Sequence, residues 1–197
     1  QIAKKLGEKG WLAAAWPKEY GGLVRGPIEQ LIYKEEMTYH QVPGIDMGVG
    51  GITWIGPALM IFGTEEQKKE HLPALARGER WWCTGYSEPE AGSDMANIKC
   101  RAALHGDEYI INGQKVWTSG GYINDHWQWM IVRTGPDEPK HRGISILIVD
   151  MKTPGITIRP LINMAGAHDF NEVFYDDVHV PRSNLIGEEN KGWYHIV

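Results

Sequence analysis

The chain of 197 residues is 42% hydrophobic and 23% charged, within the ordinary globular range and enough to bury a core as one large domain or two small ones. Its formal net charge of -5 is spread along the chain with no basic run to track phosphates, which argues against a nucleic-acid partner. No stretch approaches the roughly 18 to 20 uninterrupted apolar residues of a membrane span, and the start lacks the pattern of a secretion signal, so a soluble, non-secreted protein is expected.

From residue 1 to about 78 the apolar residues recur at helical spacing. A first helix ends near Gly10, and Trp16-Pro17-Lys18-Glu19-Tyr20-Gly21-Gly22 is a compact, turn-rich loop. Pro27 stands where a missing N–H costs nothing and opens a second helix, in which Ile28, Leu31, Ile32, Glu35, Glu36 and Tyr39 make an apolar and an acidic face. A third helix is predicted over Met47 to Phe62 despite the glycines between Gly44 and Gly56, with Gly63 capping its end. Thr64-Glu65-Glu66-Gln67 is a capping box that starts a fourth helix through His71, Leu72, Leu75 and Ala76, and Gly78 stops it.

After residue 80 the texture changes to short β-branched and aromatic runs separated by turn residues. A strand is predicted from Arg80 to about Gly85. Glu108 to Ile111, then Asn112-Gly113, then Gln114 to Trp117 has the pattern of a tight hairpin. Trp127 to Arg133, Ile144 to Val149, Ile156 to Arg159 and Val173 to Val180 supply further strands. With no crossover helices between them, this half is expected to be an antiparallel barrel or sandwich. Gly192 to Val197 has the pattern of an opening helix, and Gln1 enters directly into a helical pattern, so both ends look cut.

The sequence holds no GxSxG elbow, HExxH, Walker loop or strand-to-helix GxGxxG. Its eight histidines are scattered singly, and Cys83 and Cys100 form no CxxC pair, so neither a metal site nor a disulfide is supported and a reducing compartment fits. Two segments stand out. In Tyr86-Ser87-Glu88-Pro89-Glu90-Ala91-Gly92-Ser93-Asp94, Gly92 permits close approach and the serines and backbone can donate to an anionic or heteroaromatic ligand; a hydrated β-loop explains the same residues equally well. In Lys115-Val116-Trp117-Thr118-Ser119-Gly120-Gly121 an indole lies next to two hydroxyls at a strand end, able to cover a planar cofactor and bond its polar edge, although a Trp in a strand is more often core.

In this order and separation the two segments resemble the acyl-CoA dehydrogenase family. Its signature runs small, apolar, Ser or Thr, Glu, two variable residues, small, Gly, Ser or Thr, Asp, and is met by Gly85 through Asp94, with Tyr86 in place of the usual aliphatic residue and Glu90 where Gly is common. Gly10-Trp11 with Trp16 to Gly22, Phe62 to Lys69 with Leu72-Pro73 and Gly78-Glu79, Ile111 to Lys115, Thr153-Pro154-Gly155, and Val180-Pro181 with Asn184 to Gly187 also resemble family segments, in the family's order.

The resemblance implies an α+β fold: an N-terminal all-α domain over residues 1–79, an antiparallel β-barrel or sandwich domain of the acyl-CoA dehydrogenase type over 80–188, and the start of a C-terminal helical bundle over 189–197. It implies FAD as cofactor, with Tyr86 and Ser87 at the pyrimidine end of the flavin, Trp117 covering the ring, Thr118 and Ser119 near N5, and Gly92 and Ser93 where the flavin phosphates or the acyl-CoA pantetheine pass. Glu88 is implied to be structural, and no catalytic residue is assigned, because the family's glutamate base belongs to the bundle. The small residues Gly48, Gly50, Gly51 and Thr53 lie on the segment implied to line the acyl pocket, with Gly51 and Thr53 as candidate substrate contacts; helix packing explains such glycines equally well. The implied reaction is α,β-dehydrogenation of an acyl-CoA in fatty-acid β-oxidation and lipid metabolism. The resemblance further implies that electrons pass to an electron-transfer flavoprotein, in a homo- or hetero-tetramer of the bacterial cytoplasm or mitochondrial matrix. A non-catalytic flavin- or CoA-binding subunit and an oxygen-using oxidase are the alternatives.

Overall fold

The computed structural model describes residues 2–42, 50–121 and 126–196, the last without the side chain of His126. Two compact units divide the chain, residues 1–81 and 82–197.

The first unit is helical. Helix α1 (Ile2–Glu8) buries Ala3, Leu6 and Gly7, and Lys18–Tyr20 forms a single 3-10 turn closed by the left-handed Gly21. Helix α2 (Pro27–Tyr39) opens on Pro27, and the Gly26 amide donates to Glu29 Oε2 at 3.0 Å. Its expected apolar face is not covered: Ile28, Leu31, Ile32 and Tyr39 are all exposed, and Met37 is the buried side chain. Among the described residues the third predicted helix contains a π-helical turn at Gly51–Ile55 and continues as α3 (Gly56–Phe62); its Met47 to Val49 lie outside the described residues. Gly63 follows α3 in an extended rather than left-handed conformation. Helix α4 (Glu65–Ala76) carries the capping box in full, with Gln67 N donating to Thr64 Oγ1 at 3.2 Å and Thr64 N to Gln67 Oε1 at 2.9 Å.

Close approach of a loop side chain accounts for one of the glycines. A Cβ on Gly56 would stand 2.1 Å from Cζ2 of Trp16, whose indole Nε1 donates to the Ile52 carbonyl at 3.1 Å, so the buried Trp16 lies flush against backbone.

The second unit is a mainly antiparallel sheet of eight strands: β1 (Trp81–Gly85), β2 (Arg101–His105), β3 (Glu108–Ser119), β4 (His126–Arg133), β5 (Ile144–Asp150), β6 (Ile156–Ile162), β7 (His168–Pro181) and β8 (Leu185–Ile186). The spatial order is β6-β7-β3-β2-β4-β5-β8, and β1 pairs with β4. The path does not close into a barrel, and the strands pack in the manner of a sandwich around Tyr109, Ile111, Met130, Val132, Leu147 and Val173. Ladders β2–β3, β3–β7, β4–β5, β5–β8 and β6–β7 run antiparallel, whereas β2 meets β4 in parallel at one position, Arg101 opposite Arg133. Every residue of β5 from Ile144 to Val149 is buried, because the strand is covered on both faces. The chain then enters α5 (Gly192–Ile196), the helix opening expected there.

One local expectation is overturned. Asn112-Gly113 is not a hairpin turn but a bulge within the continuous β3, which stays paired with β7 on both sides of it. The turn lies earlier, at Gly106-Asp107, where His105 faces Glu108 across a two-residue loop and Gly106 has φ +60. Long-range contacts override the turn preference of Asn-Gly: Asn112 Nδ2 donates to Asp177 Oδ1 at 2.9 Å, and the Asp177 amide returns a bond to Asn112 Oδ1 at 3.0 Å. Gly113 is required by space, since at φ +143 a Cβ would lie 2.7 Å from Cα of Cys100.

Candidate functional site

The site is built where the loop after β1 meets the end of β3. The Val116 amide donates to the Ser87 carbonyl at 2.9 Å, so the two segments singled out in the sequence are hydrogen-bonded neighbours. Beyond that bond β3 bulges against β7 between Lys115 and Thr118. Trp117 occupies the extra position with φ +62, a left-handed conformation that a bulky aromatic residue adopts only when its surroundings impose it. The indole is thereby held outward, 60% exposed, with its only described ring contact edge-on to Phe170 at a centroid separation of 6.1 Å.

Strand alternation then separates the two hydroxyls that follow. Ser119 is exposed, as is Trp117, whereas Thr118 is 1% exposed and its Oγ1 is buried without a hydrogen-bond partner. Ser119 shares the open face with Trp117, and Thr118 is enclosed behind it. Asn171 secures the bulge, donating through Nδ2 to the Thr118 carbonyl at 2.9 Å while its Oδ1 lies 2.7 Å from His168 Nε2.

The loop half of the site is pinned from below. Lys115 is fully buried; its Nζ donates to the Tyr86 carbonyl at 3.1 Å and to Glu88 Oε1 at 2.7 Å. Glu88 also accepts from the amides of Lys99 at 2.5 Å and Cys100 at 3.0 Å. Neither Lys115 nor Glu88 was assigned a role toward a ligand by sequence reasoning, because the pair bridges 27 residues and only the folded sheet brings it together. At the far end, the 2% exposed Arg133 donates to the carbonyls of Ala96 at 2.6 Å, Lys140 at 2.5 Å and Pro136 at 3.2 Å, holding the loop's exit. Gly92 and Ser93 are exposed, and no atom lies within 4 Å of where a Gly92 Cβ would stand, so the middle of the loop is open.

Beneath these segments the environment is dry. Burial pushes the thiols of Cys83 and Cys100 and the phenol of Tyr86 each up to about 12, and that of Tyr175 well above its ordinary value. Tyr175 donates to Gln128 Oε1 at 2.5 Å in the same layer. Burial also lowers the Lys115 pKa, opposed by nearby Cys100 and Glu88.

In the helical unit, Thr53 lines a cavity of about 510 Å3 with Trp11, Ala13, Tyr33, Ile52 and Pro57. Gly51 is buried in the π-helical turn and is not on that wall, Gly50 packs against Trp54, and Gly48 lies outside the described residues. Among the described residues no group of three or more His, Cys, Asp or Glu could hold a metal, and no helix is long and apolar enough to cross a membrane.

A planar, partly anionic cofactor fits these residues. The left-handed, outward-held Trp117 offers an aromatic plane, Ser119 a hydroxyl on the same face, and Ser87 an amide and a hydroxyl that donate to no described residue. A helical unit followed by an antiparallel unit bearing such a ledge is the arrangement of a flavin-dependent class of oxidoreductases. Family models for the acyl-CoA dehydrogenase N-terminal domain and middle domain match residues 1–79 and 83–178. The acyl-CoA dehydrogenase FadE29 of Mycobacterium tuberculosis is 46% identical over 192 residues, covering 98% of this chain and 49% of the relative. The solved ChsE4-ChsE5 complex from Mycobacterium tuberculosis superposes with a TM-score of 0.89 at 43% identity, over 98% of this chain and 49% of that one. The Tcur3481-Tcur3483 steroid ACAD does so with a TM-score of 0.92 at 40% identity, over 100% and 50% of the two chains. The chain belongs to the acyl-CoA dehydrogenase family, and it spans about half the length of the curated relatives it matches.

Proposed function

We propose that the whole protein is an FAD-dependent acyl-CoA dehydrogenase that converts an acyl-CoA to the trans-2-enoyl-CoA and passes the electrons to an electron-transfer flavoprotein. The observation that carries this reading is the Ser87–Val116 hydrogen bond, which sets a loop with uncommitted donors beside an outward-held Trp117. When bound, the flavin supplies a two-electron acceptor for the substrate's β-hydrogen. Trp117 covers its ring, Tyr86 and Ser87 offer backbone and hydroxyl groups to its pyrimidine end, and Thr118, whose Oγ1 is buried without a partner, and Ser119 offer hydroxyls near N5. Gly92 and Ser93 flank the path of the phosphates or the pantetheine. Donors fixed in advance at the edge where negative charge accumulates stabilise it without reorganisation, and the dry layer beneath strengthens them. No residue of this chain is assigned as the base that removes the α-proton.

The helical residues 1–79 and the β-domain 80–188 are taken as the first two domains, 189–197 as the opening of a bundle, and the compartment as the bacterial cytoplasm. The steroid ACAD neighbour and the position of Thr53 on the helical unit's cavity support a bulky acyl group, with Thr53 rather than Gly51 as its contact. A hetero-oligomer is a second reading, favoured by the solved ChsE4-ChsE5 complex. The full-length protein is expected to be yellow and to bleach anaerobically on addition of a bulky acyl-CoA, with slow reoxidation in air. A colourless protein rejects the flavin reading, rapid reoxidation by oxygen makes it an oxidase, and a strict short-chain preference rejects the bulky substrate.

A further inference from the structure

Three consecutive carbonyls at the loop entrance are each held by a different donor. Tyr86 accepts from Lys115 Nζ at 3.1 Å, Ser87 from the Val116 amide at 2.9 Å, and Glu88 from the Ala91 amide at 3.1 Å. Two of those donors belong to adjacent residues of β3, immediately before Trp117. The backbone orientation of residues 86–88, and with it the direction of the free Ser87 donors, is therefore set from the same strand that presents the indole.

The chemistry at Lys115 is more elaborate than stability requires. A buried ion pair contributes little net stability over an apolar pair of similar volume, because desolvation cancels most of the attraction. An apolar side chain cannot hold the Tyr86 carbonyl. Paired with Glu88, Lys115 brings no net charge to the layer, so its effect is geometric rather than a field acting on a ligand.

We propose that Lys115 is a positioning residue for the flavin platform, acting through the Tyr86 carbonyl and Glu88 to fix where the Ser87 amide and hydroxyl donate. This rests on the FAD reading above. A ligand that needs those donors binds well only while the Lys115 bonds hold, and the strand itself does not depend on them, being paired with β7 from Glu108 to Ser119, Lys115 included, and with β2 over Glu108–Asn112.

The test uses the full-length protein and three variants: Lys115→Met, Glu88→Gln and the double Lys115→Met/Glu88→Gln. The single Lys115→Met leaves a buried carboxylate without its cation and is expected to melt well below wild type. The double variant removes that charge imbalance, but the Gln side chain can accept from only one of the Lys99 and Cys100 amides, which Glu88 serves with separate oxygens, so its apo form is expected to melt between Lys115→Met and wild type. Its FAD dissociation constant is expected to rise about ten-fold, the size of one good hydrogen bond, and the visible flavin band to shift in the remaining holoprotein. A double variant with wild-type FAD affinity and spectrum overturns the proposal, as does a loss of FAD affinity that merely tracks a loss of apo stability. A wild-type protein that takes up no FAD fails at the earlier step and removes the flavin reading itself, with the proposal that rests on it.

Discussion

Asn171 donates through its side-chain amide to the Thr118 carbonyl at 2.9 Å, and this bond across two strands holds β3 at the point where it bulges. Asn171 is fully buried, so replacing it with Ala leaves an enclosed carbonyl without a donor. A loss of about 1–3 kcal/mol is expected, read as a melting temperature several degrees lower. An unchanged melting temperature would show that the bulge is held by its backbone ladder alone.

Trp117 carries the opposite balance, with little burial and a strained backbone. Trp117→Gly relieves the left-handed conformation by about 1 kcal/mol and loses an edge contact with Phe170 of similar size. Apo stability is therefore expected to stay within about 1 kcal/mol of wild type, while FAD affinity falls at least about ten-fold. If the denaturation midpoint drops sharply and FAD affinity does not, the indole is a packing residue and no platform.

Two glycines separate a backbone requirement from an open surface. Gly113→Ala forces a Cβ to within 2.7 Å of the Cys100 Cα at φ +143, and should cost more than about 2 kcal/mol. Gly92→Ala meets no atom within 4 Å and should stay within about 0.5 kcal/mol. Chemical denaturation of both variants checks the contrast, and equal losses would contradict it.

His71 makes stability depend on acidity. It is 3% exposed, Arg80 Nη1 lies 2.6 Å from its Nδ1, and burial above all holds its pKa down to about 4, with Glu70 opposing and Arg80 adding to the shift. An unfolded chain protonates the ring near its ordinary value of about 6.5, whereas the folded protein resists until about pH 4. Stability is therefore intact above pH 6.5, falls as the pH drops through the window between these values, and levels off below it, a loss on the order of 2–3 kcal/mol. His71→Gln should flatten that acid limb. Urea midpoints at neutral and acid pH give the comparison, and parallel losses in the two proteins would exclude His71 as the source.

Much of the helical unit was legible because its signals act over three or four residues. The Thr64–Gln67 capping box, Pro27 at a helix start and Gly78 after α4 need only neighbouring backbone groups, and the structure reproduces each. The open, small-residue character of the Gly85 to Asp94 loop was also legible, since its small residues and hydroxyls stand in one short segment. The β2–β3 turn at Gly106-Asp107 carried a usable local cue, a Gly-Asp pair between two strand-like runs, but Asn112-Gly113 offered a stronger one.

Taken alone, the sequence determined the class of each half, the segments that line the ledge and the family resemblance, because periodicity, capping and motif spacing are local properties. Only the tertiary structure decided that Asn112-Gly113 is a bulge, that Trp117 is turned outward and Thr118 inward, and that Lys115 reaches Glu88. Each of these depends on partners dozens of residues away, Asp177, Asn171 and the loop after β1, which sit beside β3 only once the sheet has formed.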